Sequence, residues 1–361
     1  MSFSCGIIGL PNVGKSTIFN ALSSAGAQMA NYPFCTIEPN KGIVPVPDDR
    51  LLKIAELLHR DDPIPTRIEF FDVAGLVQGA SKGEGLGNKF LGHIRNVDAL
   101  IHVIRCFNDD DVAHIPGSVD PLRDIDIINM ELILADMDIL QRGLEKEQKL
   151  ARGGDKKSKI REEILLHLIE HLNKAEMLRS IELNEEEKSL MSEFGVITDK
   201  PVIYCANIDE DEPSRKHLDV VAHYAASLGS QSLYVIGKLE EEISELPENE
   251  KREYLEGMGL SESGLDRLIK TVYQQLDLIT YYTAATELQA WTFKAGTNAQ
   301  KAAGKIHTDF ERGFIRAEVF QYDDLVGMGS EKSIKEHGLL RSEGRDYIVK
   351  EGDIIKYLFN V

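Results

Sequence analysis

The 361-residue chain carries 60 acidic side chains against 41 lysines and arginines, a net charge of −19 that disfavours indiscriminate binding to nucleic acid or anionic membrane and leaves room only for a localised basic patch. Its length exceeds one typical domain, so two or three are expected. No apolar run reaches the roughly 18 residues of a membrane helix and the first residues lack an export-signal pattern, so a cytoplasmic protein with no membrane partner is expected. Cys5, Cys35, Cys106 and Cys205 show no metal-ligand spacing and read as buried free thiols.

The first predicted strand is the apolar run 5–8, and the first helix resumes apolar residues at 18–22. Between them residues 9–17 read GLPNVGKST, a glycine-rich turn in the strand-to-helix context that a P-loop requires. Gly9 and Gly14 let the backbone wrap a phosphate without side-chain obstruction. The segment Asn12, Val13, Gly14, Lys15, Ser16 and Thr17 turns its successive N–H groups toward it. Lys15 is expected to reach the β- and γ-phosphates as a point charge, and the Ser16 hydroxyl to ligate Mg²⁺.

Residues 31–40, with Pro33 and Pro39, form a loop in which Thr36 is placed to bring a second hydroxyl to Mg²⁺. Residues 41–46 resemble an edge strand, and Asp48 with Asp49 can cap a short helix whose apolar face holds Leu51, Leu52, Ile54, Leu57 and Leu58. A strand from residue 67 ends at Asp72, with Gly75 three positions on. In a P-loop nucleotidase such a carboxylate orients the Mg²⁺ shell, and such a glycine N–H senses the γ-phosphate. The glycine-dense segment with Gly79, Gly83, Gly85, Gly87 and Gly92 reads as a switch loop.

Three of these stretches, GLPNVGKST at 9–17, NYPFCTIEPN at 31–40 and GASKGEGLGNKF at 79–90, resemble the YchF (Obg-like ATPase) family within the translation-factor-related P-loop GTPases, and the likeness continues to the C-terminus. The resemblance implies an α/β P-loop G domain interrupted by an inserted α-helical coiled-coil hairpin and followed by a C-terminal β-grasp (TGS) domain. It divides the chain into G domain 1–123, hairpin 124–198, G domain 199–277 and TGS domain 278–361. It also implies association with the ribosome or its RNA, and a monomer is expected.

Further along, residues 99–107 read as a strand and 108–121 as an acidic loop. Helical spacing of Ile128, Leu132, Ala135 and Ile139, a break at residues 151–154, and a second run through Ile160, Ile164, Leu168, Leu172 and Ala175 predict an αα-hairpin projecting on the order of 35–40 Å. Residues 142–161 at its tip hold eight basic and three acidic side chains. That patch is either a solvated face laced with ion pairs or a docking surface for rRNA or an acidic partner.

The strand at 201–207 ends in Asn207-Ile208-Asp209-Glu210, where a G domain normally has Asn-Lys-x-Asp and its aspartate accepts from guanine N1–H and the 2-amino group. Loss of the lysine and displacement of the carboxylate remove that selectivity, and the adenine amino group can donate to Glu210 or to a backbone carbonyl. The family resemblance implies ATP as the preferred nucleotide, while Asp209 leaves GTP open. A second departure concerns hydrolysis. Leu76 stands where Ras-like GTPases carry a water-positioning glutamine, and leucine cannot orient water. His114 is the candidate in cis, beside the alternative of a surface histidine without a catalytic role. In related P-loop proteins an asparagine at the position of Asn12 helps hold K⁺ between the phosphates, so K⁺ is a possible second cofactor.

The rest is read as a helix at 213–226, a strand at 232–237 leading to a base-loop position at Ile236, Gly237 and Lys238, an acidic linker at 240–256 and a helix at 264–276. The C-terminal unit is expected to hold an alternating strand at 288–293, a helix at 298–306, and strands at 314–320, 347–350 and 354–359. On sequence grounds its role is as open to stabilisation or protein docking as to RNA.

Overall fold

In the computed structural model, residues 3–29, 40–73, 92, 94–109, 117–209 and 211–360 are described. They divide into two compact units, Ser4–Gly42 with Glu69–Val272, and Met1–Phe3 with Ile43–Ile68 and Tyr273–Val361.

A six-stranded sheet is ordered β2-β3-β1-β4-β5-β6. Its strands are β1 (Phe3–Ile8), β2 (Lys41–Pro45), β3 (Arg67–Asp72), β4 (Ala99–Arg105), β5 (Val202–Asn207) and β6 (Ser232–Val235). The chain of pairings β1–β4–β5–β6 is parallel throughout. Every residue of β4 and of β5 is buried, which is why ALIHVIR and VIYCAN are nearly continuous apolar runs rather than alternating ones. The register aligns Ile8 with His102, Arg105 with Asn207, and Asn207 with Val235. The carboxyl ends of these strands therefore lie together, with β1 flanked by β3 on one side and β4 on the other, the place where open α/β sheets bind ligands.

After β4 the chain enters α3 (Pro121–Arg152); α1 (Lys15–Met29) and α2 (Asp49–Leu58) precede it. Asp120 caps α3 by accepting from the Arg123 N–H at 3.2 Å, and Pro121 occupies the first turn, where its missing N–H costs nothing. The 32 residues of α3 give a length of about 48 Å. That exceeds the expected projection because the cap sits several residues ahead of the first apolar repeat. Gly154, at φ 93°, turns the chain into α4 (Lys156–Asn173), which Asp155 caps. Ile133 and Leu140 of α3 pack with Leu165, Leu168 and Leu172 of α4; of the expected second stripe Leu168 and Leu172 are in this core, whereas Ile160 is 51% exposed and Ala175 lies past the end of α4. A third helix, α5 (Glu185–Phe194), adds Leu190 and Met191 to this core and was not foreseen. Its first turn is Glu185-Glu186-Glu187, which reads as a charge cluster until the capping box between Asn184 and Glu187 is seen. Asp136, fully buried on α3, accepts from the N–H groups of Ile197 and Thr198 and from Arg95, tying the bundle back to the sheet.

After β5 come α6 (Glu212–Ser227), β6, α7 (Gly237–Glu245), α8 (Glu248–Gly257) and α9 (Gly264–Gln275). Residues 240–256, expected to be an acidic linker, are thus mostly helical. Leu239 and Ile243 form the buried stripe of α7 that the surrounding glutamates obscured. Glu240 is itself buried and accepts from the Gly264 N–H at 2.7 Å and the Leu265 N–H at 3.4 Å, so an apparent linker charge caps α9. Burial raises its carboxyl above the usual range, against those two bonds.

The second sheet is ordered β10-β9-β11-β7-β8, from β7 (Leu278–Thr283), β8 (Gln289–Lys294), β9 (Phe314–Gln321), β10 (Arg341–Glu343) and β11 (Asp353–Phe359). β7 and β8 form a hairpin, while β11 lies parallel to β7 and antiparallel to β9. Period-two alternation splits its side chains between two cores. Tyr281, Val319 and Ile355 meet Ala299, Ala302 and Ala303 of α10 (Ala299–Ile306), whereas Tyr282, Phe320 and Ile354 meet Leu51, Ile54 and Ala55 of α2. α2 therefore covers a face of the C-terminal sheet although it lies near residue 50, and the Tyr282 hydroxyl donates to its N-cap, Asp48, at 2.5 Å.

Two details differ from expectation here. Residues 347–350 are not a strand: Ile348 makes one isolated bridge to Asn298, and Asp353 gathers the Lys350 N–H and the Tyr347 hydroxyl into a loop. β7 and the short β10 were not anticipated.

Candidate functional site

The P-loop leaves β1 at Gly9, whose φ of 150° and position beside the sheet admit no side chain; a Cβ there would come within 2.4 Å of the Val103 carbonyl oxygen. Asn12 follows at φ 60°, a left-handed geometry that asparagine tolerates. The Ile18 N–H already donates to the Gly14 carbonyl at 3.0 Å, so α1 starts at Lys15 with its free first-turn donors facing the loop, the arrangement that binds anions. Lys15 is buried and its Nζ donates to the Leu10 carbonyl at 2.6 Å. Burial pulls its ammonium down to about 8, and the nearby charge of Asp72 opposes that pull.

Asp72 ends β3, and the Ser16 hydroxyl donates to its Oδ2 at 3.3 Å. Oδ1 of Asp72 is buried and has no hydrogen-bond partner among the described residues. A buried carboxylate oxygen left unmatched beside a hydroxyl at a helix start is a donor set that suits a hard divalent cation such as Mg²⁺. The two described metal candidates are thus brought together. Thr36, the third, lies outside the described residues, as do Gly75, Leu76, His114 and Glu210.

At the other end, Asn207 closes β5 with its side chain pointed back at the P-loop. Its Nδ2 donates to the Val13 carbonyl at 3.0 Å, and its Oδ1 accepts from the Gly237 N–H at 3.0 Å. Asn207 therefore staples the phosphate loop to the loop after β6. Sequence reasoning had given it a share in shaping the base site; its bonds act on two backbones. Gly14 must be glycine for the same reason, because at φ 95° a Cβ would lie 2.2 Å from Asn207 Nδ2. Ile208 is buried, with its N–H bonded to the Val235 carbonyl at 2.9 Å. Gly237, expected at a base-loop position, enters the site through this bond. Lys238 beside it reaches Asp109 at 3.4 Å, and the buried Arg105 holds the same segment by donating to the Asp109 carbonyl at 2.9 Å. No local motif could have marked Arg105, which ends a buried strand whose other polar residue is His102.

Residues 4–134 match a family model described as 50S ribosome-binding GTPase, and residues 278–360 match a YchF GTPase C-terminal model described as a protein of unknown function. A Bacillus subtilis protein named Ribosome-binding ATPase YchF is 51% identical over 366 residues, covering all of both chains. The chain belongs to the YchF family. An Escherichia coli O157:H7 relative of the same name is 49% identical, again over the whole of both chains. A solved structure of the Schizosaccharomyces pombe YchF GTPase superposes with a TM-score of 0.87 at 34% identity, covering 99% of this chain and 98% of that one.

The YchF helical bundle also carries the basic tip. Two of its eight basic side chains are spent on ion pairs, Arg142 with Asp138 at 2.6 Å and Arg161 with Glu147 at 3.0 Å and Glu193 at 2.7 Å. Lys146, Lys149, Arg152, Lys156, Lys157 and Lys159 are exposed around the turn. Among the described residues no helix is long and apolar enough to cross a membrane.

Proposed function

We propose that this YchF chain is a cytoplasmic, monomeric, Mg²⁺-dependent ATPase that couples its nucleotide state to binding of the ribosome. The observation that carries the reading is the meeting of Ser16 with a half-satisfied Asp72 beside the buried Lys15 at the start of α1. The names of the bacterial relatives, Ribosome-binding ATPase YchF, agree with it.

Lys15 and the amides of residues 12–17 hold the phosphates. Ser16, Thr36 and Asp72 hold Mg²⁺ and its water shell; the ion, when bound, offsets charge on the β- and γ-phosphate oxygens. The Gly75 N–H senses the γ-phosphate. Ile208 and Glu210 bound the base, with Asn207 fixing the loops on either side. The replacement of Asn-Lys-x-Asp by Asn207-Ile208-Asp209-Glu210 supports adenine over guanine. Leu76 supplies no group to orient water, so His114 is assigned that task, and Asn12 is assigned to a K⁺ ion. The C-terminal unit is read as a TGS domain, and the six exposed cations of the hairpin tip as the rRNA contact.

Leu76 favours a second reading, a nucleotide-gated binding module whose slow turnover only resets it. Single-turnover ATP hydrolysis with and without ribosomes, run beside co-sedimentation, separates the two. The ATPase reading expects Mg²⁺-dependent hydrolysis that Lys15→Ala abolishes. Undiminished ribosome binding by Lys15→Ala, with no hydrolysis by the wild type, leaves the module. Lys156→Glu with Lys157→Glu is expected to weaken co-sedimentation and flatten its salt dependence; unchanged binding removes the tip contact.

A further inference from the structure

Among the described residues no group of three or more His, Cys, Asp and Glu side chains is arranged to hold a metal ion, yet one pair of histidines converges away from the nucleotide site. His167 and His171 lie one turn apart on α4 with their Nε2 atoms 3.1 Å from each other. The two rings meet edge to face at 78°, with centroids 4.8 Å apart. Each Nδ1 faces a carboxylate, His167 to Glu187 Oε1 at 2.8 Å and His171 to Glu176 Oε2 at 2.5 Å.

An ionised carboxylate can only accept, so both rings carry their proton on Nδ1. Two neutral rings in that tautomer turn Nε2 lone pairs on each other at 3.1 Å, which is repulsive unless a cation lies between them. A shared proton or a metal ion satisfies that condition, and a separation of 3.1 Å admits either. Zinc–imidazole bonds of about 2.0–2.1 Å in a tetrahedral shell separate two nitrogen ligands by about 3.3 Å, close to the spacing found. A carboxylate behind each Nδ1 is the usual support of a metal-ligating histidine, fixing its tautomer and raising its basicity.

The support is itself anchored. Glu187 is buried, and its second oxygen accepts from the Asn184 N–H at 2.9 Å in the cap of α5. The side chains of His167 and His171 are 44% and 22% exposed, which leaves room for water to complete a coordination shell.

We propose that His167 and His171 chelate a divalent transition-metal ion of the zinc class, with water in the remaining positions. Glu187 and Glu176 are positioning residues. Both ligands lie on α4, so the ion spans one turn of that helix, while the His167–Glu187 contact behind it joins α4 to α5. With two protein ligands the site is weaker than a four-ligand structural zinc site.

The test is calorimetric titration of the untagged full-length protein with Zn²⁺, repeated with Co²⁺ to read the ligand-field spectrum. The wild type is expected to bind one equivalent more than the His167→Ala/His171→Ala variant, and Zn²⁺ to raise its Tm but not that of the variant. Glu187→Gln keeps the helix cap and should weaken binding about 10- to 100-fold. Should the double variant fail to fold, histidine NMR of the wild type replaces it, since Zn²⁺ must then shift the His167 and His171 ring signals first. Equal metal binding by wild type and variant overturns the proposal, as does a pair that titrates a single shared proton and is blind to Zn²⁺.

Discussion

The phosphate end and the base end of this site stand at the carboxyl ends of β1 and β5, with β4 between them, and rest on different kinds of information. At the phosphate end the work is done by backbone geometry, with Gly9 and Gly14 at positive φ, the free donors of α1, and two side chains, Lys15 and Ser16, that face a fixed carboxylate. Such a grip does not depend on which nucleotide is held. At the base end Asn207 spends its amide on Val13 and Gly237, and the proposed function leaves discrimination to Ile208 and Glu210, the positions where the sequence departs from a guanine site. The proposed function therefore expects binding strength and base choice to be separable by substitution.

The largest expected effect is at the phosphate end. Lys15→Ala removes a buried charge from the phosphates and is expected to weaken ATP and GTP alike by on the order of 10²- to 10³-fold in equilibrium titration. A loss confined to one nucleotide breaks the division. Next comes Asn207→Ala, which leaves the Gly237 N–H and the Val13 carbonyl without their partner at about 1–3 kcal/mol for a buried polar group. Both nucleotides should weaken about 10- to 100-fold with their ratio unchanged. A changed ratio means that Asn207 reads the base directly.

Ile208→Lys with Glu210→Asp restores the Asn-Lys-x-Asp pattern. It is expected to move the ATP/GTP affinity ratio about tenfold toward GTP while leaving the Mg²⁺ requirement alone. The smallest effect comes from pH. The folded value of Lys15 is lowered to about 8, and the charged form is the one that binds phosphate. Affinity should hold below that value and fall above it, by a factor of about four at pH 8.5. Lys15→Arg, which stays charged, should flatten the profile, and the ATP/GTP ratio should not move with pH.

The same division explains what the sequence made legible. The P-loop, the strand ending in Asp72 and the existence of α3 and α4 are local patterns found where they lay, although the packed face of α4 runs through Leu165, Leu168 and Leu172 and leaves Ile160 exposed. The role of Asn207 was not readable, because it depends on residues 194 and 30 positions away in the chain. The attachment of α2 to the C-terminal sheet was hidden likewise; its apolar face announced a helix but not the surface it covers. Residues 240–256 were misjudged through composition, since glutamates surround a two-residue buried stripe and one of them caps α9. Residues 347–350 hold the aromatic and β-branched residues of a strand, yet Asp353 holds them in a loop.

The most direct test is a pair of titrations of the wild-type protein, ATP and GTP side by side, each with Mg²⁺ and with EDTA. The account predicts that both nucleotides need Mg²⁺ to the same extent and that ATP binds more tightly. Tighter binding of GTP, or an ATP preference that disappears with the metal, contradicts it.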